Sequence, residues 1–200
     1  MKLLRRVSRL DVKRCFVMTP FMRKFGIAGR YDTKPPTRTK YLAALKKAKR
    51  AVMKLTEKQL DRHIEHPKRL RSYNKARWFT AVLTPRELGV WKKAGGLPLP
   101  WTRRSLAETA KRVAAGLRIN DTKIQKRAKR AIPAIIQLQH IIKKEPYLFP
   151  IVFESGFGTN GRKGLPKMKA DIDDGCMRSI ALAIGGAKKL SVYIGLPPKS

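Results

Sequence analysis

The segment DIDDGCMRSIALAIGGAKKLSVYIG, running from Asp171 to Gly195, constrains the fold more than any other part of this chain. A short strand over Met168–Ile172 enters an Asp-Asp-Gly turn, and a compact apolar helix over Ser179–Ile184 follows at once. Gly185-Gly186 stops that helix, and Leu190–Ile194 reads as a final strand. Just upstream, Tyr147–Phe153 has the composition of a buried strand, and Ser155–Lys163 is a Gly-rich loop. Strand, loop, strand, turn, helix and strand together make a mixed α/β unit.

The middle of the chain carries its own punctuation. Trp78–Leu83 is aromatic and β-branched, as a short strand is. Thr84-Pro85-Arg86-Glu87 has the residues of a helix start, which predicts a short helix to Lys93 ended by Gly95-Gly96. Ser105 and Glu108 form a capping-box pair opening a helix to Ala115, with Gly116 as its stop. Ile124, Ala128, Ile135, Leu138 and Ile142 make an apolar stripe in a longer helical stretch that Pro133 is expected to restart.

Charge divides the chain differently. The 200 residues hold 47 Lys+Arg against 13 Asp+Glu, a formal charge of +34. Residues 1–75 contribute 23 basic and 5 acidic side chains, 76–145 contribute 16 and 4, and 146–200 only 8 and 4. The gradient suggests a basic, mainly helical region over 1–75 joined to an α/β domain over 76–200. Lys34-Pro35-Pro36 punctuates the first part, and Tyr41, Leu42, Leu45, Ala48 and Val52 then fall at helical spacing. Thr56 and Gln59 could box a short helix through Ile64, stopped before Pro67.

A surface this basic carries the electrostatic footprint of a phosphate-backbone binder, because neutralising phosphates releases condensed counterions. DNA is the expected partner, with RNA as the alternative. The candidate contacts are Arg5 and Arg6, then Lys46, Lys47, Lys49 and Arg50, then Lys126, Arg127, Lys129 and Arg130. By default Lys46–Arg50 is a solvated helix face, though the charge excess favours a DNA-facing one; Lys126–Arg130 is more plainly a solvated face, where a phosphate contact is credible. No apolar run approaches the roughly 18–20 residues of a membrane span. Two cysteines far apart, Cys15 and Cys176, give no disulfide framework, so the chain reads as intracellular and cytoplasmic. The Arg-rich, acid-poor start MKLLRRVSRLDVKRCF reads as a basic arm, with an organellar import segment as the alternative.

The chemistry concentrates at the turn. Backbone N–H groups at a helix N-terminus make an anion site, Gly175 permits close approach, and Arg178 can reach a phosphate bidentately. Asp171, Asp173 and Asp174 are the densest acidic cluster in an acid-poor chain, which suggests Mg²⁺ beside that phosphate. A helix cap and a turn are the plain alternative. Cys176 reads either as a reactive thiol at a helix N-terminus or as a small space-filler. His63, His66 and His140 offer no zinc constellation.

The order of these features resembles the ParB/sulfiredoxin superfamily. IIQLQHIIKKEPYLFPIVFE stands for its helix and first strand, and Asp174-Gly175-Cys176-Met177-Arg178 stands for its D-G-x-x-R turn. Ala181, Ala183, Gly186 and Val192-Tyr193-Ile194-Gly195 complete the run, and WFTAVLTPREL is similar to the earlier strand and helix. The resemblance covers residues 119–197 and says nothing of 1–75. It implies a small mixed sheet with helices, and a nucleotide site at Gly175, Cys176, Met177 and Arg178 for ATP or CTP. By position it implies that Gly175 and Arg178 hold the phosphate and that Cys176 stands where sulfiredoxins carry a catalytic Cys. With the carboxylates Asp171, Asp173 and Asp174 read above, the expected catalytic set for nucleotide- or Mg²⁺-dependent nuclease activity is Asp171, Asp173, Asp174, Cys176 and Arg178. Met177 departs from the family, which usually has His before the Arg.

A narrower likeness is to plasmid fertility-inhibition (oncogenic-suppressive) proteins, which use this fold at this length. They resemble ATP-hydrolysing DNA nucleases and block conjugative transfer through type IV secretion. The expected function is therefore a DNA-binding, nuclease-type protein of plasmid transfer control. Two alternatives stand beside it. One is a non-catalytic inhibitor contacting a coupling protein or relaxosome, and the other is a structural RNA-binding protein of ribosomal type.

Overall fold

The computed structural model describes residues 1–27, 36–91, 94–102, 104–158 and 168–198. Much of the Gly-rich loop and the Lys34-Pro35 punctuation lie outside the described residues.

The chain opens with β1 (Lys2–Arg6) and α1 (Arg9–Lys24), whose N-cap Ser8 accepts from the Asp11 amide. Next come α2 (Arg38–Met53), α3 (Glu57–Asp61) and α4 (Pro67–Lys75). The capping boxes at Thr56/Gln59 and Ser105/Glu108 both form as the sequence predicts. Then follow β2 (Arg77–Leu83), β3 (Leu88–Gly89), α5 (Leu99–Thr102) and α6 (Leu106–Arg118). The last part holds α7 (Lys126–Gln137), α8 (Gln139–Ile142), β4 (Ile151–Glu154), β5 (Ala170–Asp174), α9 (Cys176–Ile184) and β6 (Leu190–Leu196).

Among the described residues, six strands form one mixed sheet in the order β1-β2-β6-β4-β5-β3. The β6–β4 and β5–β3 pairs are parallel, and the other three are antiparallel. This is an α+β arrangement. Strand alternation sends Ile151 and Phe153 of β4 to one face, with Trp78 and Tyr193, and Val152 to the other, with Ile194 and Val192. Helices α6, α7 and α9 pack together on the Val152 side. On the opposite side, Val12 and Cys15 of α1 and Tyr73 of α4 join the aromatic cluster.

The sequence expectations differ from the structure at several points. Packing runs straight across residue 75: β1 pairs with β2, and Val17, Met18 and Leu45 share a core with Val113 and Ile194. The charge gradient does not mark a break because surface charge and core burial are independent along an amphipathic chain. Thr84–Glu87 does close a cap-like turn, with Glu87 Oε2 accepting from the Thr84 amide at 2.8 Å. The chain then leaves as β3 rather than as a helix, because Leu88 finds a strand partner in Ala170. Gly116 lies within α6, where Trp101 and Ile124 press so close that a Cβ would stand 2.6 Å from the Trp101 ring. Pro133 sits inside α7, and the helix breaks later, at Leu138.

Candidate phosphate-binding groove at the Gly175 turn

β5 ends at Asp174, Gly175 takes a left-handed conformation (φ 81°), and α9 starts at Cys176. Only glycine adopts that φ without strain. It also leaves room, since a Cβ at this position would stand 2.8 Å from Arg178 Nη2 and 3.2 Å from the Pro150 Cα. The turn therefore delivers the first amides of α9 to the end of the sheet with Arg178 folded back over them.

An open groove of about 380 Å³ lies there. All six residues from Asp173 to Arg178 line it, so the sequence-predicted turn does border a cleft. Asp171 does not line it; two residues back on β5, it is only 4% exposed. The rest of the wall was not legible locally. Phe16, Thr19 and Arg23 come from α1, Arg69 from α4, Trp91 from the segment after β3, and Arg127 from α7. Four arginines thus converge from four helices.

The two groove carboxylates are each held by an arginine. Asp173, 6% exposed, accepts from Tyr73 Oη at 2.9 Å and from Arg69 Nε at 3.2 Å. Burial pushes its carboxyl up, and Arg69 and Tyr73 only partly offset that. Arg69 also lies over the Phe16 ring, 5.6 Å from its centroid. Asp174 Oδ2 accepts from Arg178 Nη2 at 2.8 Å, and Arg178 Nη1 donates to Thr19 Oγ1 at 2.6 Å. Burial disfavours the Arg178 cation, but Asp174, Cys15 and Tyr41 together more than offset it and hold the guanidinium above its ordinary value. Behind Arg178 and Thr19 sits a smaller apolar cavity of about 50 Å³, lined by Tyr41, Ala134 and Leu138 among others.

The carboxylates do not assemble as the expected Mg²⁺ site. Adjacent residues of a strand point to opposite faces, so Asp173 turns toward Tyr73 and Asp174 toward Arg178. Among the described residues, no group of three or more His, Cys, Asp or Glu side chains is placed to hold a metal ion. The donors present fit an anion far better than a hard cation.

The two cysteines differ. Cys176 is half-buried on the groove wall, whereas Cys15 is sealed beneath the carbonyls of Tyr147 and Phe149, and burial pushes its thiol up.

The predicted backbone contacts are distributed over the surface. Arg5 and Arg6 are exposed on β1 at the sheet edge. Lys46, Lys47 and Arg50 are exposed on α2, but Lys49 bridges to Glu145 at 3.2 Å and lies over the Tyr147 ring. On α7, Lys126, Arg127 and Arg130 are exposed, while Lys129 donates to the Asn120 carbonyl at 2.8 Å. Among the described residues, no helix is long and apolar enough to cross a membrane. No family profile, characterised protein or solved structure matches this chain.

Proposed function

We propose that this is a nucleic-acid-binding protein whose Gly175 turn seats a phosphate, as the ParB/sulfiredoxin resemblance implies for a nucleotide such as ATP or CTP. One observation carries the reading: Arg23, Arg69, Arg127 and Arg178 border one groove at the N-terminus of α9. Helix amides, a positive helix end and fork-shaped donors are complementary to phosphate oxygens. The excess of basic side chains elsewhere supplies sequence-independent attraction for a polynucleotide.

Nuclease chemistry is a separate matter. With Asp173 held by Tyr73 and Arg69, and Asp174 by Arg178, this arrangement supports the binding reading. Calorimetry with ATP and CTP tests the phosphate seat. Wild-type protein should bind, and Arg178→Ala should lose roughly 1.5–3 kcal/mol. Equal binding by both proteins would reduce the turn to a helix cap. A supercoiled-plasmid nicking assay with and without Mg²⁺ tests the cleavage reading directly.

A further inference from the structure

Arg178 is 9% exposed, and its Nε is sealed from solvent with no hydrogen-bond partner, although Thr19 and Asp174 hold both terminal nitrogens. That Nε lies 3.2 Å from where a Cβ on Gly175 would stand, so it faces the space the glycine leaves open. An anion entering over Gly175 would meet an N–H otherwise left unsatisfied, which is costly in a buried place.

What brings that anion follows from the shape and charge around it. A duplex keeps its phosphates flush on a stiff, stacked cylinder and cannot push one down to so buried an arginine. A single strand can turn one nucleotide inward, since its bases are not committed to pairing. Trp91 and Phe16 stand half-buried on the groove wall, giving an unpaired base an aromatic surface beside the arginines. Four arginines against two carboxylates leave an excess of two positive charges, which suits one or two phosphodiesters. Arg127 belongs both to the groove and to the exposed face of α7, where Arg130 follows one turn later. A chain leaving the groove would find its next phosphates a cationic track there.

We infer that the groove takes one nucleotide of a single nucleic-acid strand, base against Trp91 and phosphate against Arg178, with the strand running out over Arg127 along α7. This rests on the phosphate reading above and names the molecule that carries the phosphate.

The test titrates the full chain with a short oligothymidylate, a duplex of equal length, ATP and inorganic phosphate, following tryptophan emission and anisotropy. Oligothymidylate should bind at least tenfold more tightly than the duplex and quench emission. Trp91→Leu should abolish the quench and weaken the strand about tenfold, a stacking contribution of ordinary size. Arg127→Gln, an exposed change that leaves the core intact, should reduce the salt slope for the strand by about 0.7, one single-strand phosphate contact. Equal duplex binding, a quench that survives Trp91→Leu, or an unchanged slope in Arg127→Gln would overturn the strand inference. If ATP or phosphate binds in an Arg178-dependent way while the strand does not, the strand inference alone falls. If nothing responds to Arg178→Ala, the phosphate reading falls with it.

Discussion

Tyr73 Oη donates to Asp173 Oδ2 at 2.9 Å, joining α4 to the groove across 100 residues of chain. Both groups are buried, and Trp78 Nε1 donates in turn to the Tyr73 carbonyl at 3.0 Å. The basic N-terminal part of the chain therefore orients the carboxylate that the C-terminal strand supplies. Tyr73→Phe removes a hydrogen bond to a buried carboxylate and should cost about 1–3 kcal/mol of stability. Chemical denaturation checks it, and a loss below half a kcal/mol would show the hydrogen bond to be incidental.

The same carboxylate gives a prediction with a definite sign. Because burial raises its folded-state pKa, the folded protein holds this proton more tightly than the unfolded chain does. Its contribution to stability therefore declines as pH rises from the ordinary Asp value through the raised one, and is flat above. Asp173→Asn removes that decline, so the variant should gain on wild type across the window and be no less stable at neutral pH. Thermal melts over a pH series test this. A variant less stable than wild type at neutral pH would mean that Arg69 and Tyr73 outweigh the burial cost.

Lys13 presents the opposite case, a fully buried cation on α1 paired with Glu57 and Asp61 of α3. Removing both partners strands the charge, so Glu57→Gln with Asp61→Asn should cost about 3–5 kcal/mol, whereas Lys13→Met should be close to neutral. Hydrogen bonds from Arg9 and Lys13 hold the Glu57 carboxyl down at about 2 against an ordinary 4.5. Its stabilisation is thus complete above pH 4.5 and is lost as pH falls toward 2. Glu57→Gln alone should flatten the acid limb of the stability curve in that window, and an unchanged limb would contradict the pairing.

Much of the chain from Arg77 onward was readable from residues alone. β-branched runs, Gly pairs and capping boxes are local signals, and they placed β2, β6, α6, α9 and the Gly175 turn within a few residues. Phe16, Arg23 and Arg69 were not legible, because a basic residue on an amphipathic helix has no local mark separating a solvated face from a site wall. The orientation of the Asp171–Asp174 carboxylates was not legible for the same reason of locality. Composition counts carboxylates, but strand alternation and the long-range partners Tyr73 and Arg69 decide where they point. β1 was invisible because its five exposed residues carry no alternating apolar pattern.

Surface electrostatics predict a graded salt response. Lys46, Lys47 and Arg50 lie exposed on α2, so their triple replacement by Gln leaves the core untouched. If all three contact duplex phosphates, the slope of log affinity against log salt should fall by about 2.7, at about 0.9 per contact. An unchanged slope would move duplex binding to another face.

Asp174→Asn tests most directly whether the Gly175 groove takes an anion. Asp174 competes for Arg178, holding its Nη2 at 2.8 Å, so neutralising it should free the guanidinium. In metal-free buffer with a chelator, the variant should bind ATP and short oligothymidylate severalfold more tightly than wild type by calorimetry. Weaker binding in the variant, or wild-type binding that appears only when Mg²⁺ is added and vanishes in Asp174→Asn, would contradict the account and return the acidic cluster to a metal-holding role.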